Sequence, residues 1–198
     1  MLSTNVKVRQ GDRYLMCTFL TTCDNSIILM LLSFCVIINV RGVCLVEHTG
    51  YMREALEEAG KAYLKGEVPI GAVAVLGEQV IGRGHNLRES LHDSTAHAEI
   101  IALKEAAGFI GDWRLNEVTL YSTIEPCAMC SGALVQFRVK LLVYGAPDVK
   151  FGAVDSGLDI VRQSRFNHRV EVISGVLADE CREIIQRFFK ELRKKKKL

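Results

Sequence analysis

The 198-residue chain has no disulfide framework, no dominant charge of either sign and no apolar run long enough to cross a bilayer. Its seven cysteines are an odd set, and four of them (Cys17, Cys23, Cys35 and Cys44) crowd into the first fifty residues, which excludes the paired spacing of a small secreted scaffold. Four Lys or Arg and three Asp or Glu fall in those fifty residues, so the 25 and 23 of the whole chain become 21 and 20 in the remainder. A balance that close does not by itself announce a nucleic-acid partner. The apolar run from Ile27 to Ile38 has a dozen residues and extends to Val46 only across Asn39 and Arg41, short of the roughly twenty a spanning helix needs. Lys7, Arg9 and Arg13 precede it as they would in a signal peptide, yet no small-residue cleavage site follows. Residues 1–50 therefore stay open to three readings: an over-long translation start whose true beginning lies near Val46 to Met52, a membrane anchor over 27–46, or a cleaved targeting segment. Domain-like pattern starts at Tyr51, and residues 51–198 are expected to form the folded unit, with no internal repeat or linker dividing it.

What is present from there on is an alternation of helix and strand. Met52, Ala55, Leu56, Ala59, Ala62 and Tyr63 recur at helical spacing, with Gly66 as the stop. Ile70 to Leu76 and Gln79 to Arg83 read as a hairpin turned at Gly77-Glu78. After a polar loop, His97 to Ala107 predicts a helix capped by Ser94 or Thr95. A strand over Val118 to Ile124, a helix over Cys127 to Gln136 opened by Pro126, and a strand over Lys140 to Tyr144 follow. A last strand over Val170 to Ser174 and a long helix from Ala178 complete a layered α/β domain with a mixed sheet.

Two short motifs stand at predicted helix starts: His97-Ala98-Glu99, and Pro126-Cys127-Ala128-Met129-Cys130. Cysteines two residues apart at a helix N-terminus present both sulfurs to one metal, and the helix end favours thiolate. With His97 they make three ligands, which leaves a fourth tetrahedral position for water, the arrangement of a catalytic zinc. No fourth Cys or His stands nearby at finger-like spacing. Glu99, on the same first turn as His97, is placed to carry protons without ligating. Taken singly the motifs are weak, since Cys-x-x-Cys also serves structural zinc and redox pairs and His-x-Glu is also an ordinary exposed helix turn. Cys181 reads as a small buried helix residue, His168 and His92 as hydrogen-bonded structural residues, and His85 as either structural or functional. Lys190, Arg193 and Lys194 to Lys197 crowd the last nine residues, as a solvated helix end or as an RNA-backbone contact.

Together the two motifs match the signature of the zinc deaminases, and the surrounding text carries the resemblance further: GEVPIGAV (Gly66 to Val73), IGRGHN (Ile81 to Asn86), TAHAEI (Thr95 to Ile100), LYSTIEPCAMC (Leu120 to Cys130) and NHRVEV (Asn167 to Val172). From about Tyr51 to Phe189 the chain resembles the bacterial tRNA-specific adenosine deaminases. The resemblance implies a three-layer α/β/α cytidine deaminase-like sandwich with a mixed central sheet, a cytoplasmic homodimer, and one zinc ion per subunit on His97, Cys127 and Cys130. It implies deamination of adenosine to inosine at the wobble position of a tRNA anticodon, by attack of a zinc-activated water on adenine C6 with Glu99 as proton shuttle. By position, Asn86 would hydrogen-bond the adenine, the Ala98 amide would hold the water, Pro69, Val73 and Ile124 would wall the base or ribose, and Asp148 would contact ribose hydroxyls. Core packing accounts equally for the three wall residues, and a loop turn for Asp148. Phe188, Phe189, Lys190 and Arg193 match the terminal helix that approaches the anticodon stem. Three positions depart from the family pattern: Ser94 stands for a common Pro, Pro147 for a basic residue, and Phe151 for a small one. Two other functions share the metal motif, a deaminase of a free nucleobase or nucleoside and a non-catalytic zinc-binding partner subunit; the second would normally lack the carboxylate that Glu99 provides.

Overall fold

The computed structural model describes residues 3–10, 13–20 and 45–195, with side chains from His48 onward. The elements run β1 (Ser3–Gln10), β2 (Arg13–Leu20), α1 (Leu45–Leu64), β3 (Gly71–Leu76), β4 (Gln79–His85), α2 (Arg88–Leu91), α3 (Ala98–Ile110), β5 (Val118–Ile124), α4 (Ala128–Gln136), β6 (Leu141–Ala146), β7 (Glu171–Ser174) and α5 (Ala178–Lys195). The strands form one mixed sheet in the order β2-β1-β7-β6-β5-β3-β4. Strand β3 pairs antiparallel with both β4 and β5, whereas β5–β6 and β6–β7 are parallel and connected over the sheet. The β1–β2 hairpin adds to the β7 edge through Lys7 opposite Ser174 and Val8 opposite Ile173.

Strand alternation sorts the apolar residues into two layers. On one face Val73, Val75, Tyr121 and Val143 meet Met52 and Ala55 of α1 and Cys181 of α5. On the other, Ala72, Ala74, Leu120 and Leu142 meet Ala98, Ala102, Leu103 and Ala106 of α3 and Leu134 and Val135 of α4. This is the expected α/β/α sandwich, and it puts both motif-bearing helices on the same side. Cys181 is fully buried, as expected.

The boundary read between residues 50 and 51 falls inside α1. That helix starts at Leu45, and its early turns are tied to the sheet by the buried His48, whose Nδ1 lies 2.8 Å from the Tyr121 hydroxyl. The apolar stretch read over 27–46 lies outside the described residues up to position 44. No helix among the described residues is long and apolar enough to cross a membrane.

Helix α3 lies against β4 with almost no side chain between them. A Cβ on Gly84 would sit against the Ala98 carbonyl and 2.7 Å from the Ala102 nitrogen, and one on Gly82 would meet the Ala102 carbonyl and stand 2.9 Å from the Ala106 nitrogen. The Ala98, Ala102 and Ala106 stripe at four-residue spacing and the Gly-Arg-Gly of β4 are thus two halves of one close contact, and that contact sets where α3 begins. Gly84→Ala is expected to cost about 1–3 kcal/mol, since the obstruction is helix backbone with no rotamer to yield. The shift of α3 would also loosen the site at its start. Thermal denaturation with metal analysis of the purified variant checks both.

Candidate active site

Helices α3 and α4 both start without a side-chain cap. Their N-cap residues are His97 (φ −81°, ψ 152°) and Cys127 (φ −71°, ψ 176°), whose extended backbones turn imidazole and thiol across the helix ends. The expected cap from Ser94 or Thr95 is not made: the Thr95 hydroxyl instead donates to Asp93 at 2.7 Å, closing a local turn before the helix. No cap side chain covers the first turn of α3, where the Ala98 amide stands at the positive end of the helix dipole.

His97 Nδ1 lies 3.7 Å from Cys127 Sγ and 3.5 Å from Cys130 Sγ, and the three donor atoms all fall within 4.8 Å of one another. Sulfur and nitrogen ligands of a tetrahedral zinc, with bonds of about 2.3 and 2.0–2.1 Å, stand about 3.6 Å apart. The donor set therefore fits zinc in both kind and spacing. The Cys127 thiol is drawn down to about 3 by its hydrogen bond with Cys130, against burial and with help from His97, while sharing that proton with Cys127 and burial push Cys130 well up. The hydrogen bond to Cys127 raises the His97 imidazole.

Glu99 is 3% exposed and within hydrogen-bonding reach of the Cys130 thiol. Burial raises its carboxyl above the ordinary range, so it can carry a proton at the pH where an ordinary glutamate has lost its own. Asn86, also buried, follows directly on β4; its amide donates to the Ile70 carbonyl at 3.1 Å, and its carboxamide takes no bond from any described residue. Pro69 is buried one residue before Ile70, and Ile124 ends β5 on the α3–α4 side, three residues before Cys127. Val73 does not join them. It is fully buried on the opposite face beneath α1, because alternation along β3 turns it away from the motif helices, and it is core.

Two residues that carried no assigned role organise the rim. The buried Glu125 carboxylate accepts the amides of Asp148 (3.1 Å), Val154 (3.1 Å), Asp155 (2.8 Å) and Ser156 (2.9 Å) and the Ser156 hydroxyl, gathering residues 148–156 beside the segment that carries Cys127. Gly152 bridges to Cys127, and the Ala153 amide donates to the Pro126 carbonyl at 3.0 Å. Within that loop Asp148 closes a turn, its Oδ1 accepting the Lys150 and Phe151 amides at 2.9 and 3.0 Å. On the other flank the buried Glu67 accepts the Ser90 amide (2.6 Å), the Ser90 hydroxyl (2.7 Å) and the Glu89 amide (3.2 Å), folding into a one-turn helix, α2, what read as polar loop. A carboxylate buried between Gly or Ile and an apolar or Pro residue was the available sequence signal for both.

Burial pushes the Glu67 carboxyl up, but the Ser90 and Glu89 hydrogen bonds outweigh it and hold it below its usual 4.5. A depressed carboxylate contributes stability above the unfolded value and loses it as pH falls through the folded one. Glu67→Gln is expected to cost about 1–3 kcal/mol at neutral pH. That deficit should shrink as pH drops below 4.5 and the native carboxyl itself protonates; urea unfolding of both proteins across pH 3–7 measures it.

On α5, Phe188 is buried and meets Tyr63 edge-on at 5.7 Å, so it anchors the helix to α1 and is not an RNA-facing residue; Phe189, Lys190 and Arg193 are exposed. His168 is structural, its Nε2 2.7 Å from the Val139 carbonyl, and His85 joins Glu58 at 3.1 Å and Lys65 at 3.0 Å.

The MafB19-like deaminase family matches residues 46–193. A tRNA-specific adenosine deaminase of Bacillus subtilis (strain 168) is 52% identical over 147 residues, 74% of this chain and 91% of that protein. One of Streptococcus pyogenes serotype M1 is 49% identical over 154 residues, 78% of this chain and 90% of its own length. A solved structure from work on A-to-I editing by tRNA:A34 deaminases at the wobble position superposes with a TM-score of 0.67 at 45% identity, over 69% of this chain and 99% of its own. The uncapped helix pair with its imidazole, two sulfurs and buried carboxylate is thus set in a chain that belongs to the tRNA-specific adenosine deaminases.

Proposed function

We propose that this chain hydrolyses adenosine to inosine and ammonia at the wobble position of a tRNA anticodon. The observation that carries the reading is the convergence of His97, Cys127 and Cys130 donor atoms within 4.8 Å, with the Glu99 carboxyl beside them. These three residues would hold one zinc ion, which when bound supplies a Lewis acid that makes water nucleophilic near neutral pH. Glu99 accepts the proton released by the attacking water and passes it to the adenine ring nitrogen beside C6, then takes the remaining proton from the hydroxyl on C6 and gives it to the departing amine, which leaves as ammonia. The Ala98 amide, at the first turn of α3, orients the water. Asn86 hydrogen-bonds the base, with Pro69 and Ile124 as apolar walls. A base inside a stacked helix cannot reach such a centre, so the target must be flipped out, which costs least in a poorly stacked anticodon loop.

Asp148 lies beside the site for contact with ribose hydroxyls, using the carboxylate oxygen its own turn leaves over. Phe189, Lys190 and Arg193 present the exposed side of α5 to the anticodon stem. The working form is a cytoplasmic homodimer, and the activity belongs to residues 51–198 together with the start of α1, residues 1–50 otherwise being an addition to it. Turnover of an anticodon stem-loop, read as guanosine in place of adenosine on sequencing, is expected where free adenosine, adenine, guanine and cytidine give none. Preferential turnover of any free base or nucleoside overturns the substrate assignment.

A further inference from the structure

The loop after β6 carries a feature that the reaction as described does not use. Residues 148–152 form a turn in which Asp148 accepts three successive amides: Oδ1 takes Lys150 at 2.9 Å and Phe151 at 3.0 Å, and its carbonyl takes Gly152 at 2.9 Å. Glu125 fixes the turn from below through the Asp148 amide, and Gly152 bridges to Cys127, one of the three metal donors. The amides of Asp148, Lys150, Phe151 and Gly152 are thus all taken, yet Phe151 is 62% exposed, and the Lys150 ammonium stands 5.0 Å from its ring centroid. The ring does not hold the turn together, because the amides already do. It packs into neither apolar layer.

An isolated exposed aromatic is common on protein surfaces and means nothing by itself. This one differs in three respects: its backbone is locked, it is one residue from a glycine paired with a metal ligand, and a cation accompanies it. A flat apolar ring beside an ammonium group complements a nucleotide, the ring offering a stacking face for the base and the ammonium a partner for the phosphate. Because the turn is already ordered, little conformational entropy remains to be lost on binding. Resting on the tRNA reading above, we propose that Phe151 is a specificity-determining residue that stacks on a nucleobase neighbouring the target adenosine, with Lys150 on the adjoining phosphate.

The test uses the full chain and an anticodon stem-loop, with two companion stem-loops abasic at the nucleotide 5′ or 3′ of the target. Phe151→Ala is expected to raise KM by about 5–150-fold, the range of one lost base stack, with the effect on KM and not on kcat. Phe151→Trp should retain the wild-type KM. One of the two abasic substrates should suffer the same loss with the wild-type protein and no further loss with Phe151→Ala. An unchanged KM in Phe151→Ala, or penalties from variant and abasic site that simply add, overturns the proposal. So does a change of molecular mass in light scattering on Phe151→Ala, which would make the ring a protein contact. Fluorescence anisotropy of stem-loop binding separates this from the reaction itself: wild-type protein that binds without turnover refutes the deamination, turnover indifferent to Phe151 refutes the stacking, and absence of binding refutes both.

Discussion

Glu99→Gln is expected to retain zinc at the wild-type stoichiometry and to form inosine about 10²–10⁴-fold more slowly, the usual contribution of a positioned acid–base group. Three facts set the two outcomes apart. Glu99 is not among the three converging donors, so its replacement leaves the ligand set whole. Its side chain is 3% exposed, so an isosteric amide occupies the same space while bulk water is kept from standing in as the base. Burial raises the native carboxyl, which suits a group that must take a proton from water and give it up again within one turnover, whereas an amide does neither. Mass-spectrometric metal analysis of the variant, together with inosine quantified from the same preparation, reads both halves. Turnover near the wild-type rate would remove Glu99 from the chemistry, and loss of zinc would make it a ligand.

The parts of this architecture that were legible in the sequence are those governed by local pattern. The 3.6-residue rhythm from Met52, the Gly77-Glu78 turn and the two motifs at helix starts all have near-neighbour causes, and each reappears in the fold. What escaped depends on partners distant in sequence. Val73 shares its apolar character with its neighbours in β3, and only the layer order decides that Val73 faces α1 while Ala72 and Ala74 face α3. Phe188 and Phe189 are adjacent and chemically identical; the turn of α5 relative to Tyr63 sends one inward and leaves the other in solvent. Glu67 and Glu125 take backbone amides 22 to 31 residues further along the chain, contacts to which no spacing rule applies. The expected Ser94 or Thr95 cap is not made because the N-cap position falls on His97 and the Thr95 hydroxyl is taken by Asp93, a local turn that the helical rhythm does not reveal.

Cys130→Ser is expected to abolish zinc retention and inosine formation together and to lower the melting temperature, whereas Cys181→Ala should keep zinc and activity at a modest cost in stability. Both cysteines are fully buried helix residues, but Cys181 sits in the apolar layer between the sheet and α5, while Cys130 stands 3.5 Å from His97 Nδ1. A serine oxygen is shorter in reach and a poorer zinc ligand than thiolate, and it leaves a two-donor site. The stability loss has a further source. His97 and Cys127 occupy the cap positions of α3 and α4, where neither helix has a side-chain cap, so a metal held there would tie the two helix starts together and its binding free energy would become part of the folding free energy. Amide exchange should therefore quicken in the first turns of both helices in Cys130→Ser and in chelator-treated protein alike, and stay slow there in Cys181→Ala. Stoichiometric zinc in Cys130→Ser would show that the ion is held elsewhere.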